Sequence, residues 1–408
     1  MTPRAFLEHY SYDERLVTGE FYPSEPLQLE HGDTVGVVLF NLGGPRHPEE
    51  VEGFLYNLFM DPVINDIPIP RVLRHRLCKL IARRRSKMVR QEYGLIGGAS
   101  PINAHTERQA QLLEECLNAD ADIRSDIRFK VYTAMRYGTP SSEDVAYQMD
   151  DDSVKKVVLL PLYPQYSKTT TGASLVYWHA LEQAGELQPR ATTTVFEYAA
   201  HPSYIHAINA RIDEALKRFG SSDQEIFLLF SAHGTPVKEL KVRRDPYCCL
   251  IHSTVHRVMQ ARGCDRPFRV AFQSKVSPVE WLTPSTPQAL EELAKRGHTS
   301  VLVIPVAFVS DHLETVFELE IEVRHQAEQA GIKRFEVTEG LNDHPAFVEA
   351  LADITLRHVD GGRNSSSSRP YGRFQPAERT TACHQCPRIK EAFRWESKRS
   401  QEPDLKTV

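Results

Sequence analysis

A chain of 408 residues is long for one hydrophobic core and implies two or three domains. Hydrophobic residues at 41% and charged residues at 25% are ordinary for a globular enzyme, and a net charge of −5 gives no overall field for nucleic acid. The longest strongly apolar run, Val301–Val309, contains Pro305 and is far too short to cross a bilayer.

The opening segment, residues 1–33, shows no clear periodicity and reads as an N-terminal extension. Its start carries Arg4, Glu8, Asp13, Glu14 and Arg15 in place of the apolar core of a secretory signal. Seven scattered cysteines, an odd number, read as reduced thiols. The expected compartment is therefore the cytoplasm.

Beyond residue 33, three segments recur in the same order. Val37–Pro45 (VVLFNLGGP) is matched by Phe227–Pro236 (FLLFSAHGTP), each an apolar strand followed by a glycine turn and a proline. Phe129–Val131 leads to MRYGTP, and Phe268–Val270 leads to QSKVSP. Lys156–Tyr163 (KVVLLPLY) is matched by Val301–Phe308 (VLVIPVAF). These runs are continuously apolar, as in strands buried on both faces of a parallel sheet. Helical patterns at Ala104–Leu117, Tyr204–Phe219, Cys249–Ala261, Thr286–Arg296 and Leu313–Ala330 fill the intervals. Alternation of this kind predicts an α/β fold with two similar Rossmann-like domains, residues 34–199 and 200–360. The second would carry a closing helix over His344–His358. A tail over 361–408, opening GGRNSSSSRPYGRF, reads as a flexible linker.

The halves differ by an insertion in the first, residues 50–100. It interleaves Arg71, Arg74, Arg76, Lys79, Arg83, Arg84, Arg85, Lys87 and Arg90 with Leu73, Leu77, Leu80 and Ile81. Such a basic amphipathic helix suits an anionic membrane surface, an acidic ligand, or plain packing on the domain with a solvated charged face.

In open α/β sheets, ligands bind beyond the carboxyl ends of the strands. Asn41 and His233 end the first strand of each half. Arg136 and Tyr137 follow a later strand, with Gln273, Ser274 and Lys275 in the matching place. Ser310, Asp311, His312 and Glu314 follow the third strand of the second half. A cleft between two domains would gather all of them. Histidine exchanges protons near neutral pH and ligates divalent iron. Asp311, Glu314 and Glu318 fall at helical spacing, with Glu322 a turn further, as if capping and lining the face of one helix. A carboxylate row leading from a histidine suits attraction of a hydrated divalent cation and removal of protons. No HExxH, Walker-type GxxxxGK[ST] or GxGxxG motif is present.

LFNLGGP (39–45), YGLIGGASPI (93–102), YPQYSKTTTG (163–172), LFSAHGTP (229–236), FQSKVSPVEWL (272–282) and FVSDHLETVFELE (308–320) together resemble the ferrochelatases, in that family's order. The resemblance implies two chelatase-like Rossmann domains around a porphyrin cleft, with no nucleotide bound. It implies that His233 and Glu314 serve iron binding and catalysis, with the histidine as iron ligand or as acceptor of pyrrole protons. Asp311, His312 and Glu318 match the family's acidic path. Arg136, Tyr137 and Trp281 match residues lining the porphyrin pocket, and Arg84 and Arg85 match a basic pair in its lip. With Asn41, Leu42, Lys275 and Phe308, these are the candidate porphyrin contacts.

The resemblance further implies insertion of ferrous iron into protoporphyrin IX, the last step of heme synthesis, with weak peripheral membrane association. Insertion into coproporphyrin or another tetrapyrrole is the alternative within the enzymes, and a non-catalytic tetrapyrrole carrier the alternative outside them. Some family members hold a [2Fe–2S] cluster with a cysteine inside the YPQYS motif and three more near the C-terminus. Here Lys168 stands at the first position and the tail offers Cys383 and Cys386, so the reading favours no cofactor beyond substrate iron; the alternative is a different metal set in which Cys248, Cys249 and Cys264 complete the CxxC pair.

Overall fold

The computed structural model describes residues 1–18, 22–65, 69–119, 126–220, 225–274 and 279–359. Lys275, Cys383, Cys386 and the tail from 361 lie outside the described residues.

The apolar runs form two four-stranded sheets, both wholly parallel. The first comprises β1 (Thr34–Asn41), β2 (Arg128–Met135), β3 (Lys156–Pro161) and β4 (Ala191–Thr194), in the order β2-β1-β3-β4. The second comprises β5 (Phe227–His233), β6 (Phe268–Gln273), β7 (Ser300–Pro305) and β8 (Arg334–Val337), in the order β6-β5-β7-β8. Chain order and strand order therefore repeat, as the matched segments predict. Both sheets gain a fourth strand that the matches do not contain. β4 and β8 are four residues long, lie at a sheet edge and hold polar residues, so neither makes an apolar run.

The repeat extends further than the three matched segments. After β2 the chain reads Thr139-Pro140-Ser141, and after β6 it reads Thr283-Pro284-Ser285. Each serine caps the next helix in a reciprocal box. Ser141 accepts from the Asp144 amide while its own N–H donates to the Asp144 carboxylate. Ser285 and Gln288 do the same. Each third strand is followed by a π-helix, Lys168–Gly172 after β3 and Glu314–Val323 after β7. The helix expected over Leu313–Ala330 is thus a π segment continued by an α-helix, Arg324–Ala330. Thr315, Leu319 and Val323 are its buried residues; Leu319 and Val323 pack with Leu290 and Leu293 in the second sheet's core.

The chain divides into two compact units at boundaries other than 199/200 and 360. Among the described residues, the first is Met1–Tyr198 with Ser310–Leu313 and residues 342–359; the second is Ala199–Val309 with Glu314–Leu341. The closing helix, Pro345–Leu356, packs against the helix Ile102–Ala119 and so belongs to the first unit, not to the 200–360 half. Beyond it the Leu27 N–H bonds the His358 carbonyl at 3.0 Å. The opening residues also join that unit. Thr2 caps a helix over Pro3–His9 that buries Phe6 and Leu7, with Phe6 edge-on to Tyr177 at 5.1 Å.

The insertion forms two helices, Val51–Met60 and Arg71–Leu95. The long helix packs the other way round from the simplest amphipathic reading. Arg74, Cys78, Ala82, Ser86 and Val89 face inward, while Leu73, Leu80 and Met88 are about half exposed (52%, 48% and 51%). Arg74 explains part of the reversal. Its buried guanidinium donates to the carbonyls of Phe59 (3.3 Å), Asp61 (3.1 Å) and Asn65 (2.7 Å). They lie where the short helix ends and its intrahelical donors run out, and Cys78 and the Asn65 N–H share in bonding the Phe59 and Asp61 carbonyls.

Candidate active site

His233 is the last residue of β5, a central strand of its sheet. Gly234, the next residue, is required by crowding. A β-carbon there would stand 2.7 Å from the Gln273 carbonyl and 3.1 Å from the Trp281 ring. The Gly234 N–H instead bonds that Gln273 carbonyl at 2.7 Å. The turn brings the Gly234 carbonyl within 2.6 Å of His233 Nδ1. A carbonyl only accepts, so Nδ1 carries a proton, and in the neutral tautomer the lone pair is at Nε2.

Nε2 lies 3.7 Å from Glu314 Oε1, with both side chains about one-third exposed (36% and 32%). Phe308 stands edge-on to the imidazole at 6.4 Å. The buried Tyr247 hydroxyl donates to the His233 carbonyl at 3.0 Å. Glu314 is fixed from its backbone. Gln273 Nε2 donates to the Glu314 carbonyl (3.1 Å), and Gln273 Oε1 accepts from Ser231, which is itself bonded to Thr286. Ser231 and Thr286 are fully buried.

Glu318 completes the group one turn along the π-helix. It accepts the Ser274 N–H at 2.9 Å and the Ser274 hydroxyl at 2.6 Å. Ser274 holds a left-handed φ of 62°, a strained conformation for serine that these two bonds sustain. Glu322, by contrast, is exposed. The row from the histidine therefore runs His233, Glu314, Glu318 and ends there.

Asp311 and His312 belong to the first unit. Asp311 accepts from the Asn342 amide (2.7 Å), and His312 is buried with Nδ1 bonded to the Ser310 carbonyl (3.1 Å). Asp311 precedes the π-helix, so it does not share the helix face expected with Glu314 and Glu318.

Asn41, the counterpart of His233, is also turned to structure. Its amide donates to Thr106 (2.9 Å) and its oxygen accepts the N–H of the half-buried Leu42 (2.8 Å). Arg136 and Tyr137 converge on Asp61, a fully buried carboxylate, at 2.6 and 2.8 Å, and Arg136 stacks on Tyr177 at 3.9 Å. Asp61 went unread in the sequence, although its place between a helical pattern and Pro62 marks a helix end. Arg84 is exposed, Arg85 lies over Phe59 at 5.8 Å, and Trp281 is buried against Gly234. A groove of about 640 Å3 in the second unit is lined by His206, Asn209, Arg257 and Arg262, among others, and by none of these candidates.

The ferrochelatase family model matches residues 34–359. The chain belongs to the ferrochelatase family. It is 39% identical to a ferrochelatase of Trichodesmium erythraeum over 80% of this chain and 83% of that one. It is 40% identical to a ferrochelatase of Gloeobacter violaceus over 80% of this chain and 98% of that one. Among solved structures, SirB of Bacillus subtilis is similar at 11% identity with a TM-score of 0.46, over 80% of this chain and 96% of that one. As a ferrochelatase-family member the chain is an enzyme, a metal chelatase acting on a porphyrin.

In this group, burial raises the Glu318 carboxyl above the ordinary glutamate range. The Glu314 charge adds to the rise, while the Ser274 bonds and His233 oppose it. A folded pKa above the unfolded one gives stability that is present in acid and lost as pH rises through the folded value. Glu318→Gln should therefore melt like the wild type in acid and above it at neutral pH. Thermal melts across pH measure this; an offset independent of pH would contradict the assignment.

Proposed function

We propose that this ferrochelatase inserts ferrous iron into protoporphyrin IX to give protoheme, the last step of heme synthesis. The observation that carries the chemistry is the His233–Glu314 pair. Its Nε2 lone pair is partly open to solvent, with a carboxylate 3.7 Å away. A free-base porphyrin must lose two N–H protons as the metal enters. His233 Nε2 accepts the first, and the imidazolium formed is stabilised by Glu314. The carboxylate of Glu314 or Glu318 takes the second. The NLGGP form of the first strand end supports the protoporphyrin branch by resemblance. The same two side chains favour an enzyme over a carrier, which needs a pocket and no base.

The exposed leucines of the long insertion helix support peripheral membrane contact. No helix among the described residues is long and apolar enough to cross a membrane. Leu73, Leu77 and Leu80 stand outward, flanked by the exposed Arg76, Arg83, Arg84 and Lys87. Apolar anchors beside cations suit an anionic bilayer surface. Such a location fits the cytoplasmic side of a membrane and a poorly soluble substrate arriving from the bilayer.

The chain is further proposed to work without the [2Fe–2S] cluster of some relatives. Lys168 is buried and its ammonium donates to the Val63 carbonyl at 2.5 Å. An ammonium has no lone pair to offer iron.

Three experiments test these readings. Under anaerobic conditions with ferrous iron, His233→Ala and Glu314→Gln should each lower turnover by roughly 100-fold or more while porphyrin binding persists. Near-normal turnover in either variant sinks that residue's role, and a preference for coproporphyrin over protoporphyrin sinks the substrate reading. In flotation with anionic vesicles at low salt, replacing Leu73, Leu77 and Leu80 by serine should weaken binding at least about tenfold, since each inserted leucine contributes on the order of 1 kcal/mol. Unchanged flotation removes the helix from the contact. Analysis of anaerobically purified protein should find no acid-labile sulfide. Two irons and two sulfides per chain, lost on Cys383→Ser, would reverse the cluster proposal.

A further inference from the structure

The end of β6 holds the turn behind His233 and both glutamates of its row, and all of these groups lie in the second unit. His233 and Gln273 stand opposite each other in the parallel register of β5 and β6. Side chains alternate along a strand, so Ser231, two residues before His233, falls on the same face as the histidine. The Gln273 backbone carbonyl accepts the Gly234 N–H at 2.7 Å, and the Gly234 carbonyl accepts from His233 Nδ1 at 2.6 Å. The Gln273 side chain reaches the other partner, donating from Nε2 to the Glu314 carbonyl at 3.1 Å. Ser274 then holds Glu318 through its N–H and its hydroxyl.

The direction of each bond behind Glu314 is fixed by chemistry. A carbonyl only accepts, so the Glu314 carbonyl faces Gln273 Nε2 and leaves Oε1 toward Ser231, at 2.8 Å. That oxygen also only accepts, so the Ser231 hydroxyl gives it its single proton. The Thr286 hydroxyl, 2.8 Å from Ser231, is then the donor between the two. Thr286, Ser231, Gln273 and Glu314 form one directed chain. It runs from the first residue of the helix Thr286–Lys295 to the first residue of the π-helix. Ser231 and Thr286 are fully buried and Gln273 nearly so, which makes each lost bond costly. Apolar side chains of the same volume would fill this space without fixing a direction.

We propose that Gln273, Ser231 and Thr286 are positioning residues for metal insertion. Gln273 spaces the His233 turn from the start of the π-helix, and so sets the 3.7 Å approach of Glu314 to His233 Nε2. Ser231 and Thr286 fix which end of its carboxamide meets Glu314. The three act through Glu314 and not on the reacting atoms. This rests on the proton-accepting role proposed for the His233–Glu314 pair.

The test uses the full chain with Gln273→Met, Thr286→Val and Thr286→Ser, each alone and in a Glu314→Gln background. Turnover with ferrous iron, the porphyrin KM and the melting temperature are measured for each. Displacement of a reacting group by about 1 Å costs on the order of 100-fold in rate, so Gln273→Met should lower kcat by about 10- to 100-fold with KM unchanged. Thr286→Val keeps the shape but loses the donor, and should lower kcat by about 3- to 10-fold. Thr286→Ser keeps the donor and should stay within about twofold of the wild type. In the Glu314→Gln background each further loss should be less than about twofold, because all act through that residue. A purely structural chain of bonds would instead lower the melting temperature and leave kcat at the wild-type value below it. That result, equal activity of the two Thr286 variants, or full multiplicative losses in the Glu314→Gln background overturns the proposal. Should Gln273→Met fail to fold, the two Thr286 variants carry the same comparison. A fully active Glu314→Gln removes the underlying role and the proposal with it, and that single variant tells the two failures apart.

Discussion

The hydrogen bond between His233 Nδ1 and the Gly234 carbonyl decides what the second unit is able to do. With a proton held on Nδ1, the other nitrogen of the neutral tautomer is left with its lone pair facing Glu314. The geometry has a chain of causes. The carbonyl is in reach because the backbone turns sharply at residue 234. That turn is allowed because no side chain stands between the Gln273 carbonyl and the Trp281 ring. Gln273 in turn anchors Glu314 through the backbone, with its own carboxamide set by Ser231 and Thr286. Trp281, assigned by resemblance to the porphyrin pocket, thus also walls the turn that orients the imidazole.

The two units show how one supersecondary plan was put to different uses. Each first strand ends in a polar side chain, but Asn41 bonds its own unit and His233 keeps a nitrogen open. Each third strand leads to a π-helix. The first opens with Lys168, buried on the Val63 carbonyl, and the second with Glu314, about one-third exposed. In the first unit the cations Arg74, Arg136 and Lys168 converge on the Asp61–Asn65 turn and hold the insertion to the sheet end. Structural polar networks of this kind are satisfied internally. In the second unit satisfaction is partial: Glu318 is held by Ser274 yet has its carboxyl pushed upward by burial and by Glu314.

Much of this was legible in the residues. Continuous apolar runs locate six of the eight strands, because burial on both faces of a parallel sheet forces that pattern. The matched polar ends then point to His233, Glu314 and Glu318. β4 and β8 escaped because a four-residue edge strand needs no apolar run. The π register of Glu314–Val323 escaped because a carboxylate at every fourth residue looks the same in an α-helix. The unit boundary escaped for a topological reason. Ser310–Leu313 and the closing helix leave the second half of the chain to pack with the first, and periodicity is silent on which neighbour an amphipathic stretch chooses.

The long insertion helix shows where pattern and packing part. Leucines at 73, 77 and 80 suggest an inward stripe, yet the inward stripe is Arg74, Cys78, Ala82, Ser86 and Val89. A helix carrying two candidate faces is decided by what the neighbour offers. The short helix Val51–Met60 ends in carbonyls that only a donor can satisfy, and Arg74 supplies three bonds to them and to the turn beyond. The Asp61 carbonyl also accepts the Asn65 N–H and the Phe59 carbonyl the Cys78 thiol, so Arg74 adds to a network that ties the two helices together. With Arg74 held inward by these bonds, the leucines at 73, 77 and 80 stand on the outer side of the helix.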